Sequence, residues 1–291
     1  MEIKKGKIRL KGHESFPIRE GWLTKGMQAV RQNPKVFVNN LGADELGVGS
    51  NMAKSIRFWL KACGLTVEVK GQGSSLTDLG ELIAKNDPYL EDMYSVWLIH
   101  MELMSNTEYT AVWNLFFNRC ELEEFTIEEM TENMKYLIQM YWSEDFSEKS
   151  LESDCSVLLS MYSREIEDYD PEDKKLSPLT RLGIIRKTQN GYKRGIPSAP
   201  ISKEVMWYSI LRKLSGDSHI SIDTLVNSDN GPGKCFCIGR TEVCNYLDML
   251  KAENLIEINY TAGLDVIYMR GTKTYALEAA TKYYEGKGHN S

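Results

Sequence analysis

The chain has 291 residues, 42% hydrophobic and 26% charged, with a formal net charge of −6, the profile of an ordinary soluble globular protein with room for two or three domains. No apolar run approaches the roughly 20 residues needed to cross a bilayer. Met1 to Lys7 lacks the apolar stretch of a secretory leader, so the composition excludes a membrane span and a cytoplasmic location is expected.

Ile8 to Leu10 reads as a short strand, and Pro17 to Val30 as an amphipathic helix. Pro17 lies near its first turn, where a missing N–H costs little. Trp22, Leu23, Met27 and Val30 form its inner face. Val36 to Leu46 holds the next helix, closed by the turn Gly47-Val48-Gly49. A second helix runs from Ser50 at its N-cap to Gly64. Met52, Ile56, Trp59, Leu60 and Cys63 recur at helical spacing and are expected inside. Ser50, Lys54, Arg57 and Lys61 recur on the opposite side, with Asn51 beside them. That face carries three cations and no acid. Asn and Arg can make bidentate contacts to base edges, and Lys suits phosphates. Leu65 to Lys70 reads as a strand, Gly71-Gln72-Gly73 as a tight turn, and Thr77 to Ala84 as a helix packing back through Leu79, Leu82 and Ile83. Lys70 and the turn would be a wing. The order is that of a winged helix-turn-helix, expected over residues 1–88. It would meet DNA through Ser50, Asn51, Lys54, Arg57, Lys61 and Lys70; the plainer alternative is a solvated basic face used for protein contacts.

After Asn86-Asp87-Pro88 the composition turns acidic and aromatic. Tyr94, Trp97, Leu98, Met101 and Met104 recur at helical spacing, as do Val112, Trp113, Leu115, Phe116 and Phe117. Thr126 with Glu129 three residues on forms a capping box, and Met130, Met134, Leu137 and Met140 continue that helix. Residues 89–175 are expected to form an acidic helical domain. Asp168 to Lys175 reads as a solvated linker, and Leu176 to Arg186 packs locally.

The third domain, residues 176–291, is expected to be winged-helix-like with a C-terminal helix. Ser202 caps a helix through Leu214, Ser221 to Leu225 starts a short one, and Asn230-Gly231-Pro232-Gly233 is a turn. Cys235 and Cys237 alternate with Phe236 and Ile238 as in a strand. Arg240 to Ala252 is a helix buried through Val243, Leu247 and Leu250. Leu255 to Tyr260 and Val266 to Met269 are strands of a hairpin wing. The helix exposes Arg240, Glu242, Asn245, Asp248 and Glu253. That mixed face suits a protein contact better than DNA, with Arg240 and Asn245 as its contact residues. The fold class is therefore mainly α with small β wings (α+β).

Charge is segregated. Residues 1–70 hold 13 Lys and Arg against 6 Asp and Glu, residues 71–180 hold 7 against 24, and residues 181–291 hold 15 against 11. A basic head could take a polyanion while the acidic centre keeps a duplex off itself. The plain alternative is that the acidic centre is a solvated helical surface.

Catalytic and metal constellations are weak. Gly47-Val48-Gly49 lacks the third glycine of a dinucleotide fingerprint, which falls at Met52. Gly233-Lys234 is followed by Cys235, where a nucleotide loop needs Ser or Thr. Cys235-Phe236-Cys237 with Cys244 is not zinc spacing. The six cysteines read as reduced thiols, and no metal or cofactor is expected. His13 and Glu14, near Arg19 and Lys25, are the one pair suited to acid–base chemistry, without a nucleophile motif beside them. A structural role, with Glu14 capping the next helix or pairing with Arg19 or Lys25, is the alternative. His100, on an apolar helix face, reads as a satisfied core histidine, and no catalytic residue is assigned.

Several segments in order resemble the bacterial family called domain of unknown function 4007. They are His13 to Phe16, Arg19 to Gly26, Leu46 to Met52, Ile56 to Trp59, Leu79 to Ile83, Asp87 to Asp92 and Trp97 to His100. Phe116-Phe117-Asn118, Ser177-Pro178-Leu179 and Gly231 to Phe236 match more weakly. Ser50 departs from the pattern, where Lys is expected in much of the family. The resemblance implies a setting beside DNA-phosphorothioation and phage-defence genes, including sulfotransfer enzymes similar to phosphoadenylyl-sulfate reductases. It implies no catalytic activity. The first expectation is thus a DNA-binding accessory or targeting subunit of a DNA-modification or phage-defence system, with double-stranded DNA as partner and a sulfotransfer enzyme, other defence proteins or a second protomer as further partners. The alternatives are an adaptor for that enzyme without DNA contact, and a cryptic enzyme using His13 and Glu14.

Overall fold

The computed structural model describes residues 8–38, 42–142, 145–163, 176–261 and 264–288. They form a mixed, mainly helical fold with three small antiparallel sheets, and the chain divides into two compact units, Met1–Arg194 and Gly195–Ser291. The composition shifts predict boundaries after residues 88 and 175; the division falls once, after Arg194.

The first unit opens with α1 (Trp22–Gln32), a four-residue α2 (Ala43–Leu46) and α3 (Ser50–Ala62). Strands β1 (Thr66–Val69) and β2 (Gly73–Leu76) form a hairpin, and α4 (Asp78–Asn86) follows. Several expected boundaries move. Residues 8–10 are not a strand; the segment is tied down instead where the Lys11 N–H meets the Asp154 carboxylate at 2.8 Å. The first helix begins at Trp22, after Gly21 in the left-handed region, so Pro17 lies outside it. Residues 33–38 are successive turns where a helix was expected from Val36, because the Pro34 carbonyl is taken by the Ser74 N–H of β2. Gly49, with extended backbone, holds the N-cap of α3, and Ser50 is its first helical residue.

The central helices make the core. Helix α5 (Met93–Ser105) is buried on nearly every side, as an all-round apolar helix must be. Asp92 caps it, accepting from the Tyr94 N–H at 3.0 Å. Helix α6 (Ala111–Asn118) is buried along its length. Trp113 meets Trp59 of α3 edge to face at 5.5 Å, so the helices on either side of residue 88 share one core. Fully burying each such ring contributes on the order of 2–3 kcal/mol. Beyond β3 (Glu124–Phe125), helix α7 (Ile127–Tyr141) starts with the Thr126–Glu129 capping box and packs on α8 (Glu148–Ser163). Met130, Met134 and Leu137 are inside as expected, but Met140 is exposed. The segment from Leu176 to Arg186 packs locally, as expected. Pro178–Leu182 is a 3-10 turn against α5 and α8, and β4 (Ile185–Thr188) and β5 (Gly191–Arg194) complete a sheet of order β3-β5-β4. The expected linker, residues 168–175, lies outside the described residues.

The second unit runs α9 (Lys203–Leu214), β6 (His219–Ser221), α10 (Ile222–Asn227), α11 (Pro232–Phe236), α12 (Arg240–Ala252), β7 (Ile256–Thr261), β8 (Leu264–Met269) and α13 (Ala276–Gly288). Its sheet has the order β6-β8-β7, with Ile258 paired to Ile267 on the inner face. The strand expected around Cys235 and Cys237 is helix α11, opened by Pro232 where proline suits the first helical turn.

Candidate nucleic-acid interface

Helix α3 keeps the two faces its spacing calls for. Ile56, Trp59, Leu60 and Cys63 are wholly buried, and Met52 is partly so. Ser50, Asn51 and Lys54 are exposed at its N-terminal end, and the Lys54 ammonium donates to the Asn51 side-chain oxygen at 3.4 Å. Lys70 is exposed beyond the end of β1, on the turn of the hairpin.

The other two cations are engaged within the fold. Arg57 Nε donates to Glu68 Oε1 at 2.5 Å, and Lys61 Nζ stands 3.3 Å from the same oxygen. Glu68 lies on β1, so the hairpin brings a carboxylate against the cationic face. The effects on titration follow. The hydrogen bond that Arg57 donates to Glu68 raises the Arg57 pKa and lowers the Glu68 pKa. Burial lowers the Lys61 pKa, with Glu68 pulling the other way. Helical spacing alone puts no acid on this face, because Glu68 is seven or more residues from the cations it meets; the hairpin register carries it there.

Beside α3 a groove opens between the 34–38 turns and the hairpin, lined by Lys35, Phe37, Val38, Arg57, Val69 and Lys70 among others. Sequence reasoning misses Lys35, Phe37 and Val38, since residues from 36 onward read as a helix.

His13 and Glu14 part company. His13 is 1% exposed, stacked parallel on Trp59 with ring centroids 5.5 Å apart. The Ser15 N–H donates to Nδ1 at 3.1 Å, so Nδ1 is the acceptor and Nε2 carries the proton it donates to Asp154 Oδ1 at 2.9 Å. Neither ring nitrogen is left to a substrate. Asp154, the buried partner, lies 141 residues away, and nothing in local sequence marks it. Glu14 is exposed with φ +50, Arg19 lies over the Trp22 ring at 5.6 Å, and Lys25 faces a polar recess between α1 and α2. The structure does not assemble these four into one site. His100 is fully buried with Nδ1 2.8 Å from the Tyr162 hydroxyl, as a satisfied core histidine should be.

In the second unit, Arg240 is paired with Asp265 of β8, while Asn245 is exposed on the same helix. Among the described residues no three His, Cys, Asp or Glu side chains stand together as a metal site. Cys235 is buried and desolvation raises its thiol pKa; burial also pushes the Cys155 thiol up, to about 12. Among the described residues no helix is long and apolar enough to cross a membrane.

A family model described as "Protein of unknown function (DUF4007)" matches residues 10–284. No curated protein matches the chain. Two similar solved structures share its fold. One, described as "Magnesium ion-bound SspB crystal structure", has a TM-score of 0.83 and 21% identity, covering 98% of this chain and 89% of the other. The second, described as "SspB crystal structure", has a TM-score of 0.83 and 22% identity, covering 99% and 89%. The magnesium belongs to that protein's description.

Proposed function

The chain belongs to the family of proteins of unknown function DUF4007, and from that premise we propose that it is a DNA-contacting accessory subunit of a DNA-modification or phage-defence system. One observation carries the reading. The order α1-α2-α3-β1-β2 supports a winged helix-turn-helix, and its third helix exposes Ser50, Asn51 and Lys54 beside a hairpin whose turn carries Lys70. Such a helix presents base-reading and phosphate-binding groups together, within a head rich in Lys and Arg. Arg57 and Lys61 join the contact when a phosphate displaces Glu68 from them. The modification or defence setting rests on the company the family keeps.

The second unit supports a different task. Its order α9-β6-α10-α11-α12-β7-β8 likewise supports a winged helix, but Asp265 neutralises Arg240, and Asp248 and Glu242 share the helix with Asn245. We assign this face to a protein partner, such as a sulfotransfer enzyme or a second protomer.

The test is duplex binding by the Lys54→Ala/Arg57→Ala double variant, followed by fluorescence anisotropy at several salt concentrations. Affinity is expected to fall, and the slope of log affinity against log salt to flatten by roughly 0.9 for each phosphate the variant no longer neutralises. A variant that binds duplex like the unmodified protein would leave the adaptor reading in its place.

A further inference from the structure

We propose that the groove beside α3 is a binding site for a single unpaired nucleotide. This rests on the DNA-contact reading above and names what that contact distinguishes. The groove measures about 750 Å³, the size of a small-molecule site. One wall is a hydrogen-bonded pair of turns, with the Val36 N–H on the Asn33 carbonyl at 3.0 Å and the Val38 N–H on the Lys35 carbonyl at 2.9 Å. The other wall is the β1–β2 hairpin. The Ser74 N–H ties the two together at the Pro34 carbonyl, 2.7 Å away. Gly73 permits that approach. It has φ +101, and a Cβ there would collide with the Pro34 carbonyl. The groove is therefore held open by backbone before any ligand arrives.

Its lining mixes two chemistries. Val38 is 65% exposed and Val69 is 41% exposed, and both stand in the groove above the buried Phe37. Lys35, Arg57 and Lys70 line the same groove. The acid there, Glu68, is held by Arg57 and Lys61. Apolar surface interleaved with cations fits a ligand with a flat apolar body and an anion within one residue's reach. A nucleotide has that form, with its base against Val38 and Val69 and its phosphate toward Lys35 and Lys70. A base still paired in a duplex cannot enter, so the site selects a nucleotide turned out of the helix. Turning it out is easiest where the nucleotide is already unpaired. Arg57 lies three residues from Lys54 on α3, which makes the groove continuous with the face assigned to the duplex.

The experiment compares two labelled 20-base-pair duplexes by fluorescence anisotropy, one perfect and one with a central unpaired thymidine. The full chain is expected to bind the second about tenfold more tightly. Val38→Asn/Val69→Asn, uncharged changes at two exposed positions, is expected to abolish that preference and leave perfect-duplex affinity within about twofold, with circular dichroism unchanged. Equal affinity of the unmodified protein for both duplexes overturns the groove proposal and leaves the DNA reading standing. Preference that survives in the double variant also overturns it. Failure to bind either duplex overturns both. Displacement of the thymidine duplex by an oligoglutamate peptide as readily as by oligothymidylate of equal charge assigns the groove to an acidic peptide and overturns the nucleotide.

Discussion

Glu68 governs how much of the basic face is available. It holds Arg57 at 2.5 Å and Lys61 at 3.3 Å, and with the Arg57 and Glu68 side chains about one-third exposed the Arg57 pair stays open to water. Exposed pairs of this kind add little to stability, so the carboxylate acts chiefly on the potential that an approaching phosphate meets. Glu68→Gln is therefore expected to fold normally, to bind duplex more tightly and to steepen its salt dependence by up to about 2. Unchanged binding in that variant would mean that Arg57 and Lys61 do not face the backbone. His13 is the opposite case, a polar residue whose worth lies in the fold. Replacing it by Ala removes the stack on Trp59 and leaves the Asp154 carboxylate buried with the Lys11 N–H. A loss of about 3 kcal/mol in urea unfolding is expected, the penalty for stripping a buried carboxylate of a partner. Stability equal to that of the unmodified protein would contradict the structural role.

At the scale of elements, turns and caps place the helices that carry the site. Thr77 caps α4 by accepting the Gly80 N–H at 3.0 Å, while its own hydroxyl donates to the Gly64 carbonyl at 2.6 Å. This locks α4 to the end of α3 and aims the hairpin. Gly80 matters because a Cβ there would drive into the Leu65 carbonyl, which is backbone and cannot turn away. In an unconstrained helix, Gly→Ala stabilises by about 1 kcal/mol. Here the collision outweighs that gain, and Gly80→Ala is expected to lower the melting temperature and cost about 1–3 kcal/mol. A variant more stable than the original would mean that α4 is free to shift. Apolar residues at helical spacing made α3, α5, α6, α7 and α12 legible, and the Ser202 cap made α9 legible. The short strands β3, β4, β5 and β6 were not legible, since two to four residues carry no period and their partners lie far along the chain.

For the whole molecule, the acidic centre belongs with the basic head. His13 bonds to Asp154, Trp59 packs on Trp113, and the Asn106 amide donates to the Ala62 carbonyl at 3.2 Å. The second unit has its own sheet and its own core of Leu225, Phe236, Val243, Leu247 and Ile267. Residues 195–291 expressed alone are expected to show a helical circular dichroism spectrum and a cooperative thermal transition. A gradual, non-cooperative melt would show that the core is completed from elsewhere in the chain. The sequence by itself determined the helical character, the basic head and acidic centre, the two faces of α3 and the family, because these rest on local spacing, composition and ordered motifs. Only the tertiary structure decided that Glu68 covers two of the cations, that His13 is spent on Asp154, and that Lys35 and Val38 share a groove with Lys70. Those are meetings of residues remote in sequence, set by hairpin register and helix packing, and no local pattern encodes them.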